Sequence, residues 1–417
     1  MKKILIGFSF FICAIASHAQ SLSLDSCYAI ARRNFPLIRQ LDLVEKSKEY
    51  SIENANKSYL PQIVIAGQAT YQSDVTSLPV KLPFVSIPEV SQDQYKIFGE
   101  INQPITDLFN VKNQRAMEEL NADIESQKAE AELYKLKERI NNIYFGILLI
   151  DGQIRQTELL KKDLQAGINK TQAAIDNGTA LKSNLNILKA ENLKADQRLI
   201  ELSANRKAFV EMLSLFLQQQ LQENFSPTMP EEITLAETIN RPELQLYQLQ
   251  KSTGDIRKRL LNARYLPKAS LFFQGGYGRP ALNMLNNEFD TYYITGLKLN
   301  WNITGYYTLC KEKKIIDLNT ESANVQEETF LFNTKLSMTQ QKSESGKYRE
   351  LMQSDNEIIT LRQSVKETSA EQLKFGTITA NDYIVNVNAE DQARQNLLLH
   401  QIQLLMSEYS YKTTSGN

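Results

Sequence analysis

"SYLPQIVIAGQATY" (58–71) and "RYLPKASLFFQGGY" (264–277) are one phrase written twice, 206 positions apart. Each opens on Tyr-Leu-Pro, continues with alternating residues, and places Gln and Tyr at matching positions. Each also follows an earlier proline by 25 residues, Pro36 before Pro61 and Pro242 before Pro267. Composition alone does not hold such spacing, so the phrase marks an internal duplication. The phrase itself reads as a strand. Ile63, Ile65, Gly67, Ala69 and Tyr71 alternate with Gln62, Val64, Ala66, Gln68, Thr70 and Gln72, and Ala269, Leu271, Phe273, Gly275 and Tyr277 keep the same parity.

The duplication extends along the chain. "INQPIT" (101–106) matches "LNWNIT" (299–304), and "NGTALKSNL" (177–185) matches "FGTITANDY" (375–383), both pairs now 198 apart. The change of offset falls on "TSLPVKLPFVSIPEVSQ" (76–92), a Pro-rich insert without periodicity and hence a loop. A second alternating run follows each loop. Tyr95, Ile97, Gly99 and Ile101 share one parity against Lys96, Phe98, Glu100 and Asn102. Later, Tyr293, Thr295, Leu297, Leu299 and Trp301 do so against Ile294, Gly296, Lys298 and Asn300. Two hairpins are expected, at 61–105 and 267–303. One strand face is largely apolar over the roughly ten residues that a tilted strand needs to cross a bilayer. Tyr59, Tyr265 and Trp301 mark one end of these strands, and Tyr71, Tyr95, Tyr277 and Tyr293 the other. Alternation alone fits two hairpins of a soluble sheet equally well; the two aromatic bands around an apolar one are what read as the girdles of a membrane barrel.

Each hairpin leads into a long helical stretch. No proline interrupts 111–178 or 311–376, and Leu136, Ile140, Ile143, Ile147, Ile150 and Ile154 form a coiled-coil stripe. About 66 residues at 1.5 Å each give a rod of roughly 100 Å. Gly178 and Gly376 stop these rods, because glycine suits the left-handed cap, and a second helix returns from each. The duplicated organisation is therefore a first repeat at 20–220 with its tip near Gly178, a linker at 221–240, and a second repeat at 241–417 with its tip near Gly376.

Residues 1–19 read as a secretory signal peptide. "MKK" is basic, "ILIGFSFFICAIA" is apolar, and Ser17-His18-Ala19 offers small residues for cleavage before Gln20. No cysteine follows that site, so no lipid anchor is expected. No later stretch approaches the roughly 18 apolar residues of a membrane-spanning helix. The mature part keeps Cys27 and Cys310, and a chain of this size needs no disulfide staple. The whole chain balances 47 Lys and Arg against 48 Asp and Glu, which gives no sign of nucleic acid. After cleavage the single histidine is His400, read as a surface residue on the last helix. Without a zinc motif, a Walker loop or a nucleophile elbow, no catalytic residue, metal site or cofactor is expected. "GGYG" (275–278) lacks the helix of a phosphate loop and reads as a bending strand.

The order of short helix, hairpin, long helix, glycine turn and returning helix, written twice, resembles the TolC-like outer membrane efflux proteins across essentially the whole mature chain. The paired "YLP" phrases and the two helix-turn segments carry the resemblance. It implies a mainly helical fold with transmembrane β-structure, in which long coiled-coil hairpins form a periplasmic tunnel. Four strands per chain would join a shared twelve-stranded barrel in a homotrimer embedded in outer-membrane lipid. It further implies a passive export channel of a tripartite efflux or type I secretion system, docked to a periplasmic adaptor and an inner-membrane transporter. Gly178, Thr179, Gly376 and Thr377 would form the docking tips. Asp382, six residues after its glycine, is the gate candidate, and Asn184 stands where the first repeat would carry its own acid. Val385 replaces a further acid. Lys96, Glu100, Lys268 and Lys298 fall on the expected lumen face, where their plain role is to keep a pore wet. The plain role of Asp382 is a helix cap, since Thr379 to Asp382 has capping-box spacing. The rival reading is a periplasmic coiled-coil adaptor or scaffold, which would carry one helical hairpin between β-domains and stay soluble. Strand count independently favours sharing: four strands cannot close a barrel alone, and open edges in lipid cost several kcal/mol per unsatisfied group.

Overall fold

The computed structural model describes residues 22–76, 90–222 and 225–417. The leader at 1–19 and most of the Pro-rich insert lie outside the described residues. Eight α-helices and four strands follow in the order α1 (Leu24–Asn34), α2 (Ile38–Lys57), β1 (Gln62–Tyr71), β2 (Asp93–Pro104), α3 (Val111–Tyr134), α4 (Leu136–Asp176), α5 (Lys182–Leu217), α6 (Pro242–Arg264), β3 (Lys268–Arg279), β4 (Asp290–Asn300), α7 (Tyr306–Lys374) and α8 (Ala380–Ser415). The strands fall inside the two expected hairpins. α7 is one helix of 69 residues, about 100 Å of rod at 1.5 Å per residue. Its counterpart differs from the expected unbroken helix: α3 and α4 are interrupted at Lys135. Lys135 itself keeps helical dihedrals (φ −63, ψ −17). The break coincides with Tyr134, whose hydroxyl donates to the Thr413 carbonyl at 3.0 Å and whose ring lies under Arg241.

The chain divides into two compact units. One holds residues up to Ile38, 131–241 and 331–417; the other holds 39–130 and 242–330. In the first, the stripe read from the sequence forms the core: Leu136, Ile140, Ile143, Ile147 and Ile150 of α4 are all buried, with Leu213 and Leu217 of α5 and Tyr409 of α8. Close helix approach is bought with glycine. A Cβ on Gly152 would sit 2.6 Å from the Leu398 methyls, and one on Gly167 would sit 2.7 Å from the Tyr383 ring. Residues 225–240 carry no helix or strand, but they are strapped down. Fully buried Glu408 accepts from the Ile233 amide at 3.2 Å and pairs with Arg349. The Asn240 amide donates to the Ser415 carbonyl at 2.7 Å, and the Asn417 side-chain amide donates to the Thr238 carbonyl. His400 corrects its sequence reading: it is no free surface residue, because its Nδ1 lies 2.6 Å from Asp355 and its ring stacks on Tyr348. Cys27 and Cys310 are free thiols, and burial pushes Cys27 up to about 12.

In the second unit the four strands form one antiparallel sheet, ordered β1-β2-β3-β4. The hairpins pair in one register: Gln62 opposite Asn102 in the first, and Lys268 opposite Asn300 in the second, the positions related by the 206 and 198 offsets. The central pairing of β2 with β3 sets Ile101 opposite Phe273 and Ile97 opposite Tyr277. Odd-numbered residues therefore share one face across all four strands. β1 and β4 each have one edge without a partner strand among the described residues.

Two glycines of this sheet make a direct test. A Cβ on Gly276 would lie 2.7 Å from the Ile97 carbonyl oxygen and 2.8 Å from Phe98 Cβ, whereas one on Gly99 would meet nothing within 4 Å. Gly276→Ala is expected to cost about 1–3 kcal/mol through overpacking against backbone, and Gly99→Ala close to nothing. Thermal unfolding midpoints of the two variants in detergent check this; equal midpoints would contradict the register.

Candidate functional site

Two regions gather the residues singled out in the sequence: the faces of the sheet and the two helical tips.

The sheet separates them by parity. Ile63, Ile65, Ile97, Ile101, Leu271, Phe273, Leu297 and Leu299 lie on the odd face, and all are exposed in the single chain. Lys96, Glu100, Lys268 and Lys298 lie together on the even face, as read from alternation. Phe98, Phe272 and Ile294 also fall there, so that face is mixed rather than uniformly charged. Of the aromatic girdle, Tyr59, Tyr71, Tyr95, Tyr277, Tyr293 and Trp301 are exposed. Tyr265 is a correction, being 7% exposed. Its ring packs under Gly305, its hydroxyl donates to Glu312 at 2.7 Å, and its carbonyl accepts from Trp301 Nε1 and the Tyr306 hydroxyl. It locks the end of the second hairpin to the start of α7 instead of facing outward. At the far end of the strands Arg279 pairs with Asp93 and lies over the Tyr95 and Phe289 rings.

Sequence reasoning missed a cavity of about 540 Å³ at the helix-proximal end of the even face. Lys57, Gln62, Pro104, Asp107, Arg264 and Lys268 line it. Lys268 Nζ lies 3.4 Å from Asp107, and Arg264 lies 3.9 Å from Glu312. Lys57 and Arg264 end α2 and α6, so in the sequence they read as ordinary cations at helix C-termini. Only the folded junction brings them to the strands.

The tips are two copies of one turn. Gly178 has φ +74 and Gly376 φ +71, the left-handed region that glycine occupies without a Cβ clash. In the first, the Gly178 amide donates to Ile175 at 2.9 Å and the Thr179 amide to Ala174 at 2.8 Å. In the second, the Gly376 amide donates to Leu373 at 3.2 Å and the Thr377 amide to Gln372 at 3.0 Å. These are Schellman closures. Both threonine hydroxyls donate to the same carbonyls as their own amides. The returning helices differ. Thr379 and Asp382 form a reciprocal capping box, while Leu181, the equivalent N-cap of α5, makes no side-chain cap. The Asp382 carboxylate is thereby engaged, and the Thr379 hydroxyl and amide hold it below the usual carboxylate range. Asn184 has the matching place without a charge. Below the turns α4, α5, α7 and α8 share a core of Leu164, Ile168, Leu188, Leu373, Tyr383 and Val387. Burial raises the Tyr383 hydroxyl to about 12, and it donates to the Asp163 carbonyl at 3.1 Å. Among the described residues no group of His, Cys, Asp or Glu is placed to hold a metal ion. No described helix is long and apolar enough to cross a membrane, which says nothing of a barrel.

The order of helices, the four-stranded antiparallel sheet and the paired helical turns can be set beside known sequences and folds. Residues 28–217 match the family model described as outer membrane efflux protein. The fold is that of solved outer membrane channels. CusC aligns at TM-score 0.71 and 12% identity over 94% of this chain and 91% of its own. VceC of Vibrio cholerae aligns at 0.69 and 12% over 94% and 96%. The CmeC channel of Campylobacter jejuni aligns at 0.68 and 12% over 100% and 94%. No curated protein matches the chain in sequence.

One buried charge on α8 gives a pH test. Asp391 is 5% exposed and its Oδ1 has no partner, while Arg198 reaches Oδ2 at 3.4 Å. Burial raises its carboxyl above the ordinary value, with Arg198 opposing. The folded state thus holds this proton more tightly than the unfolded one. Stability falls as pH rises from the unfolded Asp value, about 3.9, through the folded value. Asp391→Asn should match wild type below that window and exceed it above. Thermal midpoints against pH check the sign; a variant less stable at neutral pH would refute it.

Proposed function

We propose that this chain is the outer-membrane channel of a tripartite efflux or type I secretion system, a passive duct with no chemistry of its own. The observation that carries the proposal is a four-stranded sheet with one apolar, exposed face and two unpartnered edges. Water satisfies such edges, but lipid does not, and each unsatisfied group there costs several kcal/mol. Pairing β4 of one copy with β1 of the next removes every edge, and three copies give twelve strands. The odd face then meets lipid, and Lys96, Glu100, Lys268 and Lys298 line the lumen. The duplicated halves supply one hairpin and one helical hairpin each, and the long helices of three copies form the periplasmic tunnel. Several solved structures of the same fold are described as outer membrane channels, which supports a channel over an adaptor.

In this reading Gly178, Thr179, Gly376 and Thr377 form the ring that docks a periplasmic adaptor, itself coupled to an inner-membrane transporter. Leu181 and Phe375, exposed beside the two turns, supply apolar contact. Asp382 and Asn184 occupy the equivalent gate positions, so a trimer would bring three carboxylates, not six, to the entrance.

The mass of the detergent-solubilised complex is expected to be that of a trimer, and a stable monomer would sink the twelve-strand barrel. Leu271→Arg should cost roughly 2–4 kcal/mol if it lies near the bilayer midplane, and Gln274→Arg much less; equal loss of membrane-inserted protein would reverse the faces.

Docking has its own readout. Gly376→Leu places a side chain at φ +71, strained by about 1–2 kcal/mol, and crowds a partner at the turn. Export in cells should fall while trimer yield holds. Wild-type export from this variant would remove the tips from the docking site.

A further inference from the structure

The cavity at the helix-proximal end of the even face has a lopsided charge. Lys57, Arg264 and Lys268 line it against a single carboxylate, Asp107. Lys57 has no carboxylate partner among the described residues. Asp107 is shared with Lys268 at 3.4 Å, and Arg264 is held only loosely, 3.9 Å from a Glu312 already engaged by Thr308 and Tyr265. Lys298 extends the same field. It pairs opposite Ser270, two residues along from Lys268 and on the same face, where diagonal neighbours lie about 7–8 Å apart. Farther along that face Glu100 interrupts and Lys96 follows, so the excess of positive charge is concentrated at one end.

The geometry points to a binding site for soluble anionic cargo at this junction, where the strands begin. It rests on the duct reading above, in which the even face is the lumen wall and three such cavities surround one passage. A cleft lined by one sign of charge focuses its field and raises the local concentration of the opposite ion. Arg264 offers a planar fork for a carboxylate, sulfonate or phosphate, and Lys57 and Lys268 offer point charges. The cavity is within the size range of small-molecule sites. Lys268 and Arg264 remain half or more exposed, so each contact is screened by salt and weak. Weak, repeated contacts suit a conduit, because a ligand must leave as readily as it enters. The substrate class this selects is organic anions, with cations and neutral molecules passing without retention.

Fluorescence anisotropy of pyrenetetrasulfonate, titrated with the purified full chain in low salt, reads the site without needing an open channel. Wild type is expected to bind, with affinity falling steeply as KCl rises. Lys57→Gln/Arg264→Gln/Lys268→Gln should bind at least tenfold more weakly. Lys268→Gln alone, which leaves both helix ends unchanged, should show a smaller loss of the same sign. Arg257→Gln/Arg259→Gln/Lys314→Gln removes as much charge away from the cavity and should bind like wild type. No dye binding by wild type, or equal losses from the two triple variants, would overturn the proposal. So would displacement of the dye by nanodiscs containing phosphatidylglycerol, which assigns the cavity to a lipid headgroup. In planar bilayers under a KCl gradient, the wild-type reversal potential should show anion preference, and the cavity variant should lose it. Cation preference in wild type counts against the site. Dye binding without any conductance would support the site and sink the duct.

Discussion

The antiparallel register that sets Ile101 opposite Ile63 on one side and Phe273 on the other is the constraint from which the sheet takes its character. Side chains alternate with a period of two, so a one-residue slip in any pairing would carry that strand's apolar set to the opposite face. All three pairings keep the same parity, and the result is one apolar face across both hairpins. That face is exposed in a single chain, as are the backbone groups along the free edges of β1 and β4. A sheet of this kind is incomplete alone. Its completion is the physical reason for the trimer proposed here.

The helices answer a different demand. Rods of this length have no globular interior to fill, so their cohesion comes from a narrow seam. Leu164, Leu188 and Val387 are fully buried in it, and Gly152 and Gly167 let neighbouring side chains reach the backbone of α4. Charges enter the seam only with partners. Glu408 is fully buried and gathers Arg349, Ser345 and the Ile233 amide, and Lys366 lies between Asp163 and Glu390. Removing one partner from such a pair leaves an uncompensated buried charge, which is far costlier than losing an exposed ion pair. The linker that crosses between the halves is fixed by these contacts rather than by any secondary structure of its own.

The two tips share a Schellman closure yet are not equivalent. α8 begins with a reciprocal Thr379–Asp382 box, whereas α5 begins at Leu181 without a side-chain cap. Leu181 stands where Thr379 does and Asn184 where Asp382 does, so the first tip lacks both halves of the box, the carboxylate among them. Away from the tips, the junction of helices and strands carries an excess of cations.

The strands, the parity of their faces and the turns were legible from residue spacing. Period-two alternation, an interrupted stripe and a glycine followed by threonine are local signals, and local geometry decides what they form. The sequence also carried the family resemblance, through segments repeated at fixed offsets. Tertiary structure alone decided what each side chain meets. Tyr265 has the same Tyr-Leu-Pro context as Tyr59, yet Tyr59 is exposed while Tyr265 is buried under Gly305, where Trp301, Tyr306 and Glu312 hold it. His400 looked free until Asp355 was brought beside it from α7, 45 residues away in sequence. The break at Lys135 has no proline or glycine to announce it. Lys57, Asp107, Arg264 and Lys268 are spread over more than 200 positions, and alternation had marked only Lys268 among them. Their convergence depends on where two helices end against a sheet, a matter of packing that no spacing in the sequence records.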